Sequence, residues 1–184
     1  MADENLPAGE LGKGVPAQNL LPLVYAELRK LAAARMASES PGHTLDAIAL
    51  VHEVFLRVGS DQSFTSKSAF LRAAAEAMRR ILVDHARAQQ ADKRGGKRNR
   101  VELIDQVGSM PDDDLLALDE ALAQLATIDP QAAELVQLRY FSGLTIPQAA
   151  EALGMAPRSA DRLWSFARAW LLRELSEKDE KSPQ

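Results

Sequence analysis

The chain is predicted to be all-α, built as two small helical domains, and three observations predict it. Alanine supplies 31 of the 184 residues while Phe, Trp and Tyr together supply 9, so burial must come from many small helical contacts rather than a few large aromatic anchors. Apolar residues recur at three- and four-residue steps through most of the sequence. The breaks between these runs carry Gly, Pro, Ser and Asp, the residues that start and stop helices.

Taken in order, residues 1–17 hold Pro7, Gly9, Gly12, Gly14 and Pro16 with little apolar pattern and read as a disordered leader. A first helix is predicted from about Leu20 to Ser38, where Leu20, Leu23, Val24, Leu28 and Leu31 make one stripe, and Ser40-Pro41-Gly42 ends it. A second, from Thr44 to Val58, repeats Leu45, Ile48, Val51, Phe55 and Val58 and stops at Gly59-Ser60-Asp61. A third, from Ser66 or Ser68 to Gln90, buries Phe70, Leu71, Ala74, Met78, Ile81 and Leu82. These helices make a first domain, residues 18–95.

Residues 96–112 are polar and lie in a stretch too long for a loop inside one small domain, so they read as a flexible interdomain linker. Beyond it, helices are predicted for Asp113 to Leu125, Pro130 to Phe141, Ile146 to Leu153 and Pro157 to about Leu175. They make a second domain, residues 113–175, and residues 176–184 read as a frayed, disordered tail.

Composition narrows the chemistry. The absence of cysteine excludes disulfides, thiolate metal sites and cysteine nucleophiles. His52 and Glu53 are adjacent rather than spaced as ligands, His85 has only Asp84 beside it, and no glycine-rich phosphate loop occurs. The reading is therefore no enzyme, no catalytic residue, no metal and no cofactor. No apolar run is long enough to cross a bilayer and the first residues lack a signal peptide's basic and apolar blocks, so a cytoplasmic protein without membrane insertion is expected.

Charge is sorted along the chain. Residues 1–100 carry 15 Lys and Arg against 11 Asp and Glu, whereas residues 101–184 carry 7 against 15. Arg79 to Arg100 holds eight bases, and Val101 to Glu120 holds seven acids and no base. The basic block suits a polyanion; a solvated helix end running into a loop gives the same pattern.

The most specific local signal runs from Gly143 to Trp164. Thr145 caps one short helix, Pro147 and Gln148 sit in its first turn, Gly154 serves a tight turn, and Pro157 opens the next helix where a missing N–H costs least. This is the anatomy of a helix-turn-helix. On the second helix Ala160, Leu163, Trp164, Ala167, Trp170 and Leu171 form the buried stripe, leaving Arg158, Asp161, Arg162 and Ser165 on the face that points into a major groove. Arg168 is placed for phosphate. A plain helical hairpin with a solvated face gives the same local pattern.

Three stretches then occur in order: Ala49-Leu-Val-His-Glu-Val-Phe-Leu-Arg57, Met78-Arg-Arg-Ile-Leu-Val-Asp-His-Ala-Arg87, and Pro157-Arg-Ser-Ala-Asp-Arg-Leu-Trp-Ser-Phe-Ala-Arg-Ala-Trp-Leu171. On these the chain resembles a bacterial RNA polymerase sigma factor of the extracytoplasmic-function (ECF) class, in its ECF-like branch of the sigma-70 family, over about residues 18–175. The resemblance implies that residues 18–95 are sigma region 2, which binds core polymerase and the minus-ten element. It makes residues 113–175 sigma region 4, which binds the minus-thirty-five element.

The implied partners are promoter DNA and core RNA polymerase, at its clamp and flap regions. By the same resemblance Asp46, Leu50, Val51, Glu53, Val54, Leu56 and Arg57 contact the clamp, although Leu50 and Val54 equally suit the domain's own core. Arg72, Arg79, Arg80, Asp84, His85, Arg87, Lys93 and Arg94 are implied to hold the melted element. Single-strand capture usually also uses aromatic stacking, for which the segment offers only Phe64 and Phe70. Ser159 joins the recognition-helix set. The acidic linker matches linkers that thread toward the polymerase's RNA-exit path.

Two departures stand out. Asp46-Ala47-Ile48-Ala49 occupies a place where many relatives carry Asp-Ala-Glu-Asp, and Ile48 stands where members of the ECF-like branch often have a threonine, a position at which phosphorylation by a Ser/Thr kinase would restore negative charge, making Thr44 the nearest substitute. Ala156 and Pro157 stand where a capping Ser or Thr is common. An anti-sigma factor is a further implied partner. The alternative function is a stand-alone helix-turn-helix transcriptional regulator that never touches polymerase.

Overall fold

A computed structural model describes residues 14–22, 25–26, 28–29, 47–59, 62–92 and 112–181. Among them the regular elements are helical except for one two-residue ladder. Strand β1 (Val15–Pro16) pairs antiparallel with β2 (Ser63–Phe64), Val15 opposite Phe64 and Pro16 opposite Ser63. The Ala17 N–H extends the pairing by donating to the Gln62 carbonyl at 2.9 Å. Gly14 comes so close that a Cβ there would sit 2.8 Å from the Ser63 Cβ. Residues 15–17, at the end of the expected leader, are thus held in regular structure, because backbone partners 47 and 49 positions away are invisible to a local pattern. Helical residues begin at Ala17, with Leu20 and Leu28 buried; Leu23, Val24 and Leu31 lie outside the residues whose side chains are described.

Helix α1 (Ala47–Val58) ends where Gly59 adopts φ +91°, its N–H donating to the Phe55 and Leu56 carbonyls. Helix α2 (Lys67–Asp92) is started by the Ser66 hydroxyl, which accepts from the Ala69 N–H at 3.1 Å. The six core residues predicted for it are all buried, and so are Ala75, Ala77, Val83 and Ala86. A helix buried on that much of its circumference has neighbours on more than one side. They are α1 on one side and, on the other, α3 (Asp112–Ile128) and α4 (Pro130–Ser142).

One continuous apolar cluster therefore runs from Ala17 to Leu175. The sequence reads two lobes on a flexible tether; the described helices of the two lobes pack directly against each other, alanine letting their axes approach. The tether itself lies outside the described residues.

Two further helices form a capped helical pair behind α4. Asp129 caps α4 by accepting from the Ala132 N–H at 2.9 Å, ahead of Pro130. Gly143 closes α4 at φ 70°, and α5 (Ile146–Leu153) opens with a capping box between Thr145 and Gln148. Gly154 at φ 65° makes the turn into α6 (Pro157–Lys181), where the Ala156 carbonyl accepts from the Ser159 and Ala160 N–H groups. The helix thus begins at Pro157 without a capping side chain. It also runs six residues past the predicted end, held by buried Leu175, a Ser176 hydroxyl bond to the Leu172 carbonyl and an Arg173–Glu177 pair at 3.9 Å. Among the described residues no helix is long and apolar enough to cross a membrane.

The joint of the helix-turn-helix is held by Arg139. Its guanidinium donates to the Leu144 carbonyl at 2.7 Å and lies 5.2 Å from the centre of the Trp164 ring, which packs against buried Tyr140 at 5.8 Å. One cation thereby fixes α4, the loop and α6. Arg139→Leu is expected to lower unfolding free energy by about 1–3 kcal/mol in a denaturant titration, because a loop carbonyl and a ring face lose their partner together.

Candidate nucleic-acid interface

The outer face of α6 is the clearest candidate. Arg158, Asp161, Arg162, Ser165 and Arg168 are exposed and Ser159 is half-buried, while Ala160, Trp164, Ala167 and Leu171 face inward. Neither Arg158 nor Arg162 forms an ion pair with a carboxylate of the described residues, so both guanidiniums keep their donors for an external acceptor. Ser165 is less available, since its hydroxyl donates back to the Asp161 carbonyl at 2.9 Å.

Sequence reasoning missed Phe166. It is 44% exposed and, with Ser159, Arg162, Leu163 and Met155, lines an open groove of about 680 Å³ whose far wall holds Asp129 and Gln131. Its position one turn after Arg162 and off the buried stripe was the available signal. An exposed aromatic beside a free guanidinium suits a surface that meets a partner.

Helix α2 presents its bases differently. Arg79 is 22% exposed, donating to Asp119 of α3 at 2.7 Å and through two nitrogens to Glu76 at 3.2 Å each. Arg87 reaches the other oxygen of Asp119 at 3.5 Å, and Arg72 lies 4.0 Å from Glu134 of α4. Arg80, 67% exposed, pairs with Glu76 at 2.7 Å. Asp84 is taken by Arg57 of α1 at 3.2 Å, and the His85 ring meets Gln89 at 3.2 Å. Lys93 and Arg94 lie outside the described residues. Phe64 and Phe70 are buried edge to face against each other, 5.3 Å apart, so neither offers a ring for a base.

The residues assigned to the polymerase surface divide. Leu50, Val51 and Val54, expected as contacts, are at most 1% exposed and with Val58 form the inward stripe of α1, the core placement that Leu50 and Val54 equally suited. Ile48 is corrected in the opposite sense, being 51% exposed rather than part of that stripe. With His52 and Leu56, the latter 60% exposed, it makes an outward row at four-residue steps. Beside it run Glu53 and Arg57, paired at 3.5 Å. Asp46 and Thr44 lie outside the described residues. Among the described residues no group of three His, Asp or Glu side chains could hold a metal ion.

At the hub of the α2 charges, partial burial pushes the Glu76 carboxyl up, but hydrogen bonds and charge from Arg79 and Arg80 outweigh it and hold the group below its usual 4.5. A carboxyl depressed in the folded state contributes stability that is complete above its unfolded value and is lost as pH falls through the folded one. Glu76→Gln is therefore expected to flatten the loss of thermal stability on acidification below about pH 4.5, a change readable in melting curves at stepped pH.

Compared with known families, the chain matches the model of the ECF sigma factor over residues 10–177, spanning both groups of helices. Neither the curated proteins nor the solved structures gave a match. A match of that extent, over a helical chain that ends in a capped helix-turn-helix, makes this protein a member of the ECF sigma factor family, whose members give RNA polymerase its choice of promoter.

Proposed function

We propose that this chain binds core RNA polymerase and directs initiation at a promoter read through two surfaces. The outer face of α6 reads duplex bases of the upstream element, with Arg158 and Arg162 as base contacts and Arg168 on phosphate. The basic side of α2, from Arg72 to Arg87 and on to Lys93 and Arg94, holds the melted strand near the start site, with Arg80, Asp84 and His85 alongside. What carries the reading is the coincidence of a family match over nearly the whole chain with two exposed arginines that meet no carboxylate among the described residues, on an otherwise well-packed recognition helix.

The polymerase contact is assigned to the outward row of α1, Ile48, His52 and Leu56, with Glu53 and Arg57 beside it. An apolar row at helical spacing fits a partner helix laid along it, and the Glu53–Arg57–Asp84 chain supplies a charged rim. With Phe64 and Phe70 packed together, the melted strand is held chiefly by charge, which makes its capture steeply salt-dependent. An anti-sigma factor, or phosphorylation at Thr44, is the form of control that fits this family.

Run-off transcription with purified core enzyme tests the whole: template-specific RNA is expected only when the chain is added. Binding of duplex DNA with no affinity for core enzyme would instead make it a stand-alone regulator. Arg158→Ala and Arg162→Ala are each expected to weaken use of the upstream element by about 1–3 kcal/mol and to change its base preference. Leu56→Asp is expected to cost about tenfold in core affinity with an unchanged melting temperature, whereas Val54→Asp unfolds the protein; a pull-down and a melting curve separate the two.

A further inference from the structure

Arg158, Arg162 and Phe166 follow one another at four-residue steps on the exposed face of α6, away from the buried stripe of Ala160, Trp164 and Ala167. The first two carry hydrogen-bond donors; the third carries only a phenyl ring. Phe166 is 44% exposed and is the one aromatic among the large apolar side chains left exposed in the described residues. A ring held in water forgoes the burial that most phenylalanines obtain. Its surroundings are open: with Ser159, Arg162, Leu163 and Met155 it lines the groove of about 680 Å³. The one carboxylate lining that groove among the described residues, Asp129, spends an oxygen on the Ala132 N–H at 2.9 Å, capping α4. By helical spacing Asp161 lies on the other flank of α6. A cation and an apolar ring therefore face outward side by side.

The duplex edge that such a surface meets is nearly all hydrogen-bonding. In the major groove the apolar exception is the C5-methyl group of thymine, and bases inside the stack expose no ring face. A phenyl ring presented there has that methyl group to bury against, whereas cytosine and uracil offer none. Residues four apart on a helix are separated by about 6 Å along its axis, and neighbouring base pairs by about 3.4 Å. The ring thus falls one or two base pairs beyond the base met by Arg162. Given the duplex-reading role proposed for α6, on which this rests, we propose that Phe166 is a specificity-determining residue that selects thymine, through its C5-methyl group, at that position of the upstream element. Selection there works by methyl burial, uses no hydrogen bond and rejects uracil.

The test uses the full chain with core polymerase and a library of random-sequence DNA duplexes, from which the preferred promoter is selected. A thymine is expected one or two base pairs from the base whose identity changes in a parallel selection with Arg162→Ala. Replacing that thymine by uracil removes one methyl group and keeps every hydrogen bond. Affinity is expected to fall about fourfold, the worth of one buried methyl group. At the same place 5-methylcytosine is expected to bind better than cytosine, because the methyl group returns. With Phe166→Ala both differences are expected to vanish, and Phe166→Leu, which keeps an apolar tip, retains part of them. Both variants are expected to melt with the parent, since the side chain is exposed, so lost folding cannot mimic the result. Uracil bound as tightly as thymine by the parent, or a methyl preference that survives Phe166→Ala, would overturn the assignment; sequence selection that still depends on Arg158 and Arg162 then leaves the promoter reading standing. If core enzyme carrying the chain selects no sequence at all, the promoter reading itself falls and takes the thymine contact with it.

Discussion

The architecture depends on α2 being apolar around most of its circumference. Ala74, Ala75, Met78, Ile81 and Leu82 make the expected core stripe, and Ala77, Val83 and Ala86 widen it until the helix must be covered from more than one direction. Alanine is what makes this workable: a methyl group buries little area but lets helix axes come close, so dispersion accumulates over many short contacts. The neighbours recruited are α1 before it and α3 and α4 after it. Everything functional is hung on this scaffold, from the outward row of α1 to the helix-turn-helix carried behind α4.

Legibility followed the range of the interaction. The helix-turn-helix was readable because its determinants are local: the Thr145–Gln148 box, Gly143 and Gly154 in the left-handed region, and Pro157 at a helix start all act within a few residues. The same holds for the buried stripe and the exposed arginines of α6. Pairings across the chain were not readable. Nothing near Val15 announces Phe64 as its neighbour, and nothing near Arg79 points to Asp119. The α1 surface failed for a subtler reason. A helix with apolar residues at 48, 50, 51, 54, 56 and 58 has two candidate stripes, and the choice between Val54 inward and Leu56 inward is made by what packs on it.

The charge sorting seen along the chain acquires a spatial meaning. Arg79 and Arg87 come from the basic block and Asp119 from the acidic one, and the fold sets them face to face. Glu76 balances the same group from within α2, pairing with both Arg79 and its neighbour Arg80. By contrast Arg158 and Arg162 meet no acid among the described residues. On the proposed reading the two nucleic-acid surfaces differ in kind: the arginines of α6 face outward, while Arg79 and Arg87 of α2 are answered by a carboxylate of α3.

The placement of Trp164 and Trp170 on α6 has a practical corollary. They are the chain's two indoles, so ultraviolet emission reports on the helix-turn-helix end of the molecule, with Trp164 quenched or released according to its stacking with Arg139 and Tyr140. The opposite end, around α1 and the Val15–Phe64 ladder, holds no indole and is followed instead by circular dichroism. Comparing the two signals during melting thus asks whether the shared apolar seam makes the halves cooperate as one unit or lets them part at separate temperatures.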